Sequence, residues 1–260
     1  MPITLPKAPT PKKNDLRNLT VLLHGGKKLG KSTFCSHLPG AIFAATEPGL
    51  GHLEVHQVPI TSWQDFLDFC NALVTEKHEF KTIVIDTLNN LYGFCCRAVC
   101  EKYKVEYVGD FKAVGKGHVL ANNMFYETLL KLANLPYGLW MIAHSVEHEI
   151  ETRTEKYRKA VPQLPDKAAG QILGMADMIL YAALHEDRSE NGKSTFRHVL
   201  YTKPSKYFEA GDKSGVLPGV IDLDYPKFAA AYLAGNESAL NKSAVEMNPG
   251  YSSSADATKK

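Results

Sequence analysis

Apolar runs of five or six residues alternate along this chain with stretches whose apolar residues recur every three or four positions. The runs are Leu19–His24, Ala41–Thr46, Thr82–Asp86 and Gly138–Ala143, with strand-like segments at Met178–Ala183 and His198–Thr202. Helical spacing is clearest over Trp63–Thr75, where Trp63, Phe66, Leu67, Phe69, Cys70 and Leu73 share a face. Leu91–Tyr103, Leu120–Asn134 and Gly170–Ala176 also read as helices, and another starts at Lys31. Nearly continuous apolar strands separated by helices predict an α/β fold: a mainly parallel central sheet with helices on both faces.

The pattern fades at both ends. Residues 1–18 hold Pro2, Pro6, Pro9 and Pro11 with Lys7, Lys12 and Lys13, which predicts an extended, flexible basic arm. Residues 236–260 are small and polar and predict a disordered tail. One domain is therefore expected over residues 19–235, with no internal repeat.

Composition narrows the class. Charged residues make up 22% of the 260 and the formal charge is +2, so no global field draws in nucleic acid; any such site must be local. No apolar run approaches the roughly 20 residues of a membrane helix, and no apolar signal core opens the chain. Five cysteines, an odd number, fit reduced thiols and a cytoplasmic setting.

The first strand runs into Gly25-Gly26-Lys27-Lys28-Leu29-Gly30-Lys31-Ser32-Thr33, which spells G-x-x-x-x-G-K-[ST] between a strand and a helix. Glycines let consecutive backbone N–H groups curl toward phosphate oxygens. Lys31 would reach the terminal phosphates of ATP and Ser32 would hold Mg²⁺. Gly192-Lys193-Ser194-Thr195-Phe196 repeats the last letters of that loop, but no apolar strand feeds directly into it. Asn191-Gly192 predicts a hairpin turn there instead.

Three more strands end in candidate polar groups. Asp86 would hold Mg²⁺ beside Ser32. Glu47 could accept a proton from an attacking water. His144 could touch the γ-phosphate and report its hydrolysis. His144-Ser145-Val146-Glu147-His148 also spells H-x-x-E-H, a zinc pattern that needs a helix, whereas an apolar strand leads into His144. Cys95, Cys96 and Cys100 share a helical stretch and read as buried thiols.

This order of phosphate loop, strand-Glu47, strand-Asp86 and strand-His144 resembles the RecA-like P-loop ATPase core. More narrowly it resembles short phage-encoded ATP-binding proteins linked to single-strand annealing and recombination. The stretches that carry this are Ala44-Ala45-Thr46-Glu47, Gly115-Lys116-Gly117, Leu164-Pro165-Asp166-Lys167-Ala168, Ala176-Asp177 and Ala210–Pro218. The resemblance implies a DNA-dependent ATPase with ATP and Mg²⁺ as cofactors. Its implied partners are single-stranded DNA, further copies of itself in a ring or filament, and a single-stranded DNA-binding protein, in the cytoplasm of a bacterial host. It makes Glu47, Lys31 and His144 catalytic.

The family's A-K-D-R segment reads Ala210-Gly211-Asp212-Lys213 here, so only Lys213 remains to reach a neighbouring subunit's nucleotide. His144 stands where RecA has glutamine. RecA cores also carry a DNA-binding loop after the sensor strand. Here that segment holds Arg153, Lys156, Arg158 and Lys159 with Tyr157 among them, able to contact phosphates and stack on a base. Other readings are a DnaB- or KaiC-like motor or regulatory ATPase, and a nucleotide-gated DNA-binding adaptor with weak hydrolysis.

Overall fold

In the central strands, odd and even residues are buried on opposite faces. A computed structural model describes residues 5–9, 13, 15–188, 191 and 193–247, with side chains described as far as residue 239. Strand β1 (Thr20–Gly25) lies at the centre, between β5 (Gly138–Glu151) and β7 (Met178–Arg188), and is parallel to both. Beyond β5 come β4 (Thr82–Asp86), β2 (Ala41–Ala45) and β3 (His56–Pro59), all parallel. On the other side β8 (Ser194–Tyr201) pairs antiparallel with β7, and β10 (Val220–Asp222) with β8. The two-residue β9 (Gly211–Asp212) pairs with β7 as well.

Helices cover both faces. Leu22, Ile83, Ile85, Leu139 and Met141 pack with α2 (Trp63–Thr75), α3 (Leu88–Tyr103), α4 (Lys116–Ala133) and α5 (Asp166–Met175). Val21, Leu23, Val84, Trp140 and Ile142 pack on the other face with α1 (Lys31–Ser36) and α6 (Tyr225–Met247), through Phe34, Phe228 and Tyr232. Strands buried on both faces carry unbroken apolar runs for this reason. The α2 boundary is set by a reciprocal cap: the Ser62 hydroxyl accepts from the Asp65 N–H, and Asp65 accepts from the Ser62 N–H.

The ends depart from the sequence reading. The tail expected from residue 236 is helical as far as Met247, because Glu-Ser-Ala-Leu-Asn-Lys-Ser-Ala-Val-Glu-Met is rich in helix formers despite its few apolar groups. Residues 248–260 lie outside the described residues. Part of the basic arm is tied down: Leu16–Asn18 form a 3-10 turn capped by Asp15, Lys13 pairs with Asp177, and the Lys13 carbonyl accepts from the Tyr232 hydroxyl. The 185–198 segment is the expected hairpin, with Arg188 opposite Ser194, so Lys193 sits near its tip.

The segment after His144 is not a loop. Strand β5 continues to Glu151 and pairs antiparallel with β6 (Lys156–Pro162), and Tyr207–Glu209 joins β6 through Ala160. This flap stands beyond the main sheet. Its alternating polar pattern hid it from the apolar-run criterion.

Candidate functional site

Register alone gathers the strand-end groups. Gly25 lies opposite His144, Asp86 opposite Ile142 and Ala45 opposite Asp86, so Glu47, Asp86, His144 and the phosphate loop share the carboxyl edge of the sheet. Ligands of open α/β sheets bind at this edge. A cleft of about 340 Å³ opens there, lined by Lys28, Leu29, Gly30, Lys31, Ser32, Thr33, Glu47, Asp86 and His144. His52 and Thr87 also line it and were not singled out in the sequence.

The loop is curled as its glycines allow. Gly30 has φ +95° and Lys28 φ +61°, in the left-handed region. Lys31 is buried, and its ammonium donates to the carbonyls of Gly25 and Gly26 at 3.1 and 2.6 Å. Burial lowers the Lys31 pKa, while the charges of Asp86 and Glu47 oppose that shift. Lys27 lies in the loop between Gly26 and Lys28, and its charge helps to lower the pKa of His144.

The Ser32 hydroxyl donates to Asp86 at 2.6 Å. Burial raises the Asp86 pKa and the Ser32 bond opposes the rise. A hydroxyl and a carboxylate oxygen side by side suit the few protein ligands that Mg²⁺ takes when phosphate supplies others. The residues therefore fit Mg-ATP: Ser32 and Asp86 would hold the cation, and Lys31 the phosphates. The bound cation would neutralise charge on the phosphates.

Thr46 and Thr87 lock the ends of β2 and β4 together. The Thr87 N–H donates to the Thr46 hydroxyl at 2.7 Å, and that hydroxyl donates to the Thr87 carbonyl at 2.9 Å. Glu47 follows this lock, its side chain 35% exposed. One carboxylate oxygen accepts from the Asn90 amide at 3.0 Å; the other is 3.7 Å from His144 Nε2. Burial and the Lys31 charge lower the His144 pKa, so the ring is neutral at pH 7. Its Nδ1 is buried without a hydrogen-bond partner.

On the neighbouring strand β1, opposite Ala143 and so one residue short of the His144 row, is His24, fully buried. Its Nε2 faces the Glu209 carbonyl at 2.7 Å and so carries the proton, which leaves Nδ1 to accept from the Ser145 hydroxyl at 2.8 Å. His24 thus joins the strand of the phosphate loop to the flap. Burial pushes its pKa down to about 4.

Lys213 does not reach this chain's own cleft. Lys213 follows β9, which pairs with the start of β7 at the opposite edge of the sheet, and its ammonium donates to the Gly174 carbonyl at the end of α5. It meets none of this chain's own cleft. Asp212 beside it accepts from Ser214 and Leu217 and shapes the local turn.

The cations of the presumed DNA loop are split by strand alternation. Lys156 and Arg158 share one face of the flap with Glu147, Glu149 and Glu151, and pair with them. Tyr157 and Lys159 lie on the other face, where Tyr157 packs edge-on against Tyr207 and Lys159 pairs with Glu209 at 2.6 Å. Arg153 lies in the exposed turn. Segment 203–209, unmarked by the sequence reading, adds Lys206, which sits over both tyrosine rings.

His144 lies on strand β5, as expected, and His148, expected in a loop, lies on the same strand; neither is on a helix. Among the described residues no group of three or more His, Cys, Asp or Glu could hold a metal, all five cysteines are free, and no helix could cross a membrane.

A curated relative, the SPbeta prophage-derived uncharacterized protein YorG of Bacillus subtilis (strain 168), is 24% identical over 190 residues. The alignment covers 71% of this chain and 55% of that protein, so this chain spans about half the length of that relative. Among solved structures, flagellar accessory protein FlaH from Methanocaldococcus jannaschii gives a TM-score of 0.37 at 11% identity, over 71% of this chain and 77% of FlaH. The Legionella pneumophila ATPase DotB gives 0.32 at 11% identity, over 75% and 48%. The AAA_24 family, described as an AAA domain, matches residues 17–214, a span that takes in every residue of the cleft. The chain belongs to that family and is a P-loop NTPase.

Proposed function

We propose that this protein is an ATP- and Mg²⁺-dependent ATPase that works on single-stranded DNA, assembles with copies of itself, and promotes strand annealing or homologous recombination in a phage-infected bacterium. The observation that carries the ATPase part is the convergence of Lys31, Ser32, Asp86, Glu47 and His144 on one cleft. Glu47 takes a proton from water as the water oxygen bonds to the γ-phosphorus. The bond to the bridging oxygen breaks, and its electron pair leaves on ADP. His144, neutral and beside Glu47, has one N–H in either tautomer with which to donate to a γ-phosphate oxygen.

The DNA part is supported by connectivity. His144 and the flap share one strand, and His24 clamps Ser145 to the phosphate-loop strand. A change at the γ-phosphate therefore has a short covalent route to Arg153, Lys156, Tyr157, Arg158 and Lys159. A prophage-derived relative fits the phage setting. Lys213, turned away from its own cleft and held by the Gly174 carbonyl, would serve a neighbour's nucleotide in a ring or filament by exchanging that exposed bond.

The pairing of the flap cations with acids favours a second reading, a regulatory ATPase with little affinity for DNA. Steady-state ATP hydrolysis with and without single-stranded DNA separates the two. Stimulation by DNA supports the first reading. A flat rate that DNA does not change supports the second.

A further inference from the structure

Bonded to the Glu47 side chain that lines the cleft is a residue whose chemistry its sequence pattern conceals. Asn89 and Asn90 lie in the first turn of α3, just after Asp86-Thr87. Asn90 donates to one oxygen of Glu47 at 3.0 Å. Asn89 accepts the His144 backbone N–H at 3.3 Å. The same turn thus touches both groups expected to act on the γ-phosphate. His144 Nε2, 3.7 Å from Glu47, is beyond ordinary hydrogen-bond reach.

We propose that Asn90 is a positioning residue for the Glu47 base; this rests on the reading of Glu47 as the group that takes the proton from water. A glutamate just past a strand end samples many rotamers, and a base must sit within hydrogen-bond reach of the proton it takes. Asn90 removes that freedom at one oxygen and leaves the other, on the His144 side, to receive the proton. An amide suits the task better than a cation would. It fixes the carboxylate without adding a full positive charge that would weaken its basicity. Its own footing is rigid, since Leu88 and Leu91 are buried and the Tyr92 hydroxyl donates to Asn122 at 2.7 Å.

The test is a double-mutant cycle on basal ATP turnover. Asn90→Asp keeps the shape, removes the donor and sets a like charge beside Glu47. The kcat should fall at least tenfold with KM for ATP changed less than twofold, and Asn90→Gln, which keeps an amide donor, should recover part of the loss. Combined with Glu47→Gln, Asn90→Asp should cost little more than Glu47→Gln alone. Multiplicative losses in the double variant, or a wild-type kcat in Asn90→Asp, would overturn the proposal. Wild-type turnover in Glu47→Gln would instead remove the base reading itself. Should Asn90→Asp fail to fold, Asn90→Ser carries the same test, with the same kcat loss expected and a wild-type kcat again fatal.

Discussion

The cleft and the flap are both rich in ionisable side chains, and they treat them in opposite ways. In the cleft, Lys31 and Asp86 are each only 5% exposed, and their side chains hydrogen-bond fixed partners in the loop. In the flap, Lys156 and Glu151 are 59% and 66% exposed and pair across solvated strands. Buried charge is costly unless its place is specified, so the cleft is specified. Exposed charge costs little, so the flap can exchange its partners for others. The first arrangement suits chemistry on a bound nucleotide; the second suits contacts that form and break.

The join between the regions is where the contrast should break most visibly. His24 is held neutral, with a pKa near 4 against 6.5 when unfolded. Above pH 6.5 neither state binds the proton. Between pH 6.5 and 4 the unfolded chain takes up a proton that the folded chain refuses, so stability falls with falling pH, by about 3 kcal/mol in all. Urea unfolding at pH 7 and pH 4.5 should show most of that loss, and His24→Gln should lack this share of it. An equal pH dependence in the two proteins would show that His24 is not held neutral. His144 shifts in the same direction, so the difference between the proteins isolates His24.

Next comes the cleft. Lys31→Ala should weaken ATP binding or turnover at least tenfold, about 1.4 kcal/mol, while Lys193→Ala at the hairpin tip changes neither. Equal losses in both would mean that the loop's letters, and not its place in the fold, had been read.

In the flap the effects should be smaller and separable by face. Arg158, 74% exposed with a 3.3 Å pair, is easily freed, whereas Lys159 is 23% exposed and held by Glu209. A single DNA strand bound to the flap would meet one face. Arg158→Ala should flatten the salt dependence of single-stranded DNA binding by about 0.7 units, and Lys159→Ala should not. Unchanged slopes in both would take DNA off the flap. Smallest of all, Lys156→Ala should lower the melting midpoint by no more than about 4 °C, as an exposed ion pair allows. A larger fall would make the flap a structural element like the cleft.

The same contrast decided what could be read in the sequence. Strands buried on both faces announce themselves, so β1, β2, β4 and the first half of β5 were legible as apolar runs, and α2 to the residue. Glu47, Asp86 and His144 were legible because each ends such a run. The second half of β5 was not, since Ser145–Glu151 alternates polar and apolar residues beside solvent. Nor was α6, whose stretch from Asn236 carries few apolar residues in a helical period. Asn89 and Asn90 were hidden for another reason. Asparagine after a strand reads as a helix start, and what its amide touches depends on strands 43 and 55 residues distant.

Gly25 carries a last consequence, for selection experiments. A Cβ there would lie 2.3 Å from the Ala182 carbonyl oxygen across the β1–β7 pair, whereas one on Gly26 meets only the tip of Leu29 at 3.4 Å. A library randomised at position 25 and screened for folded protein alone should return glycine, with no nucleotide present. The same screen at position 26 should return a broader set. Two adjacent glycines of one signature thus answer to different pressures: the first to the spacing of two strands, the second to whatever the loop must hold.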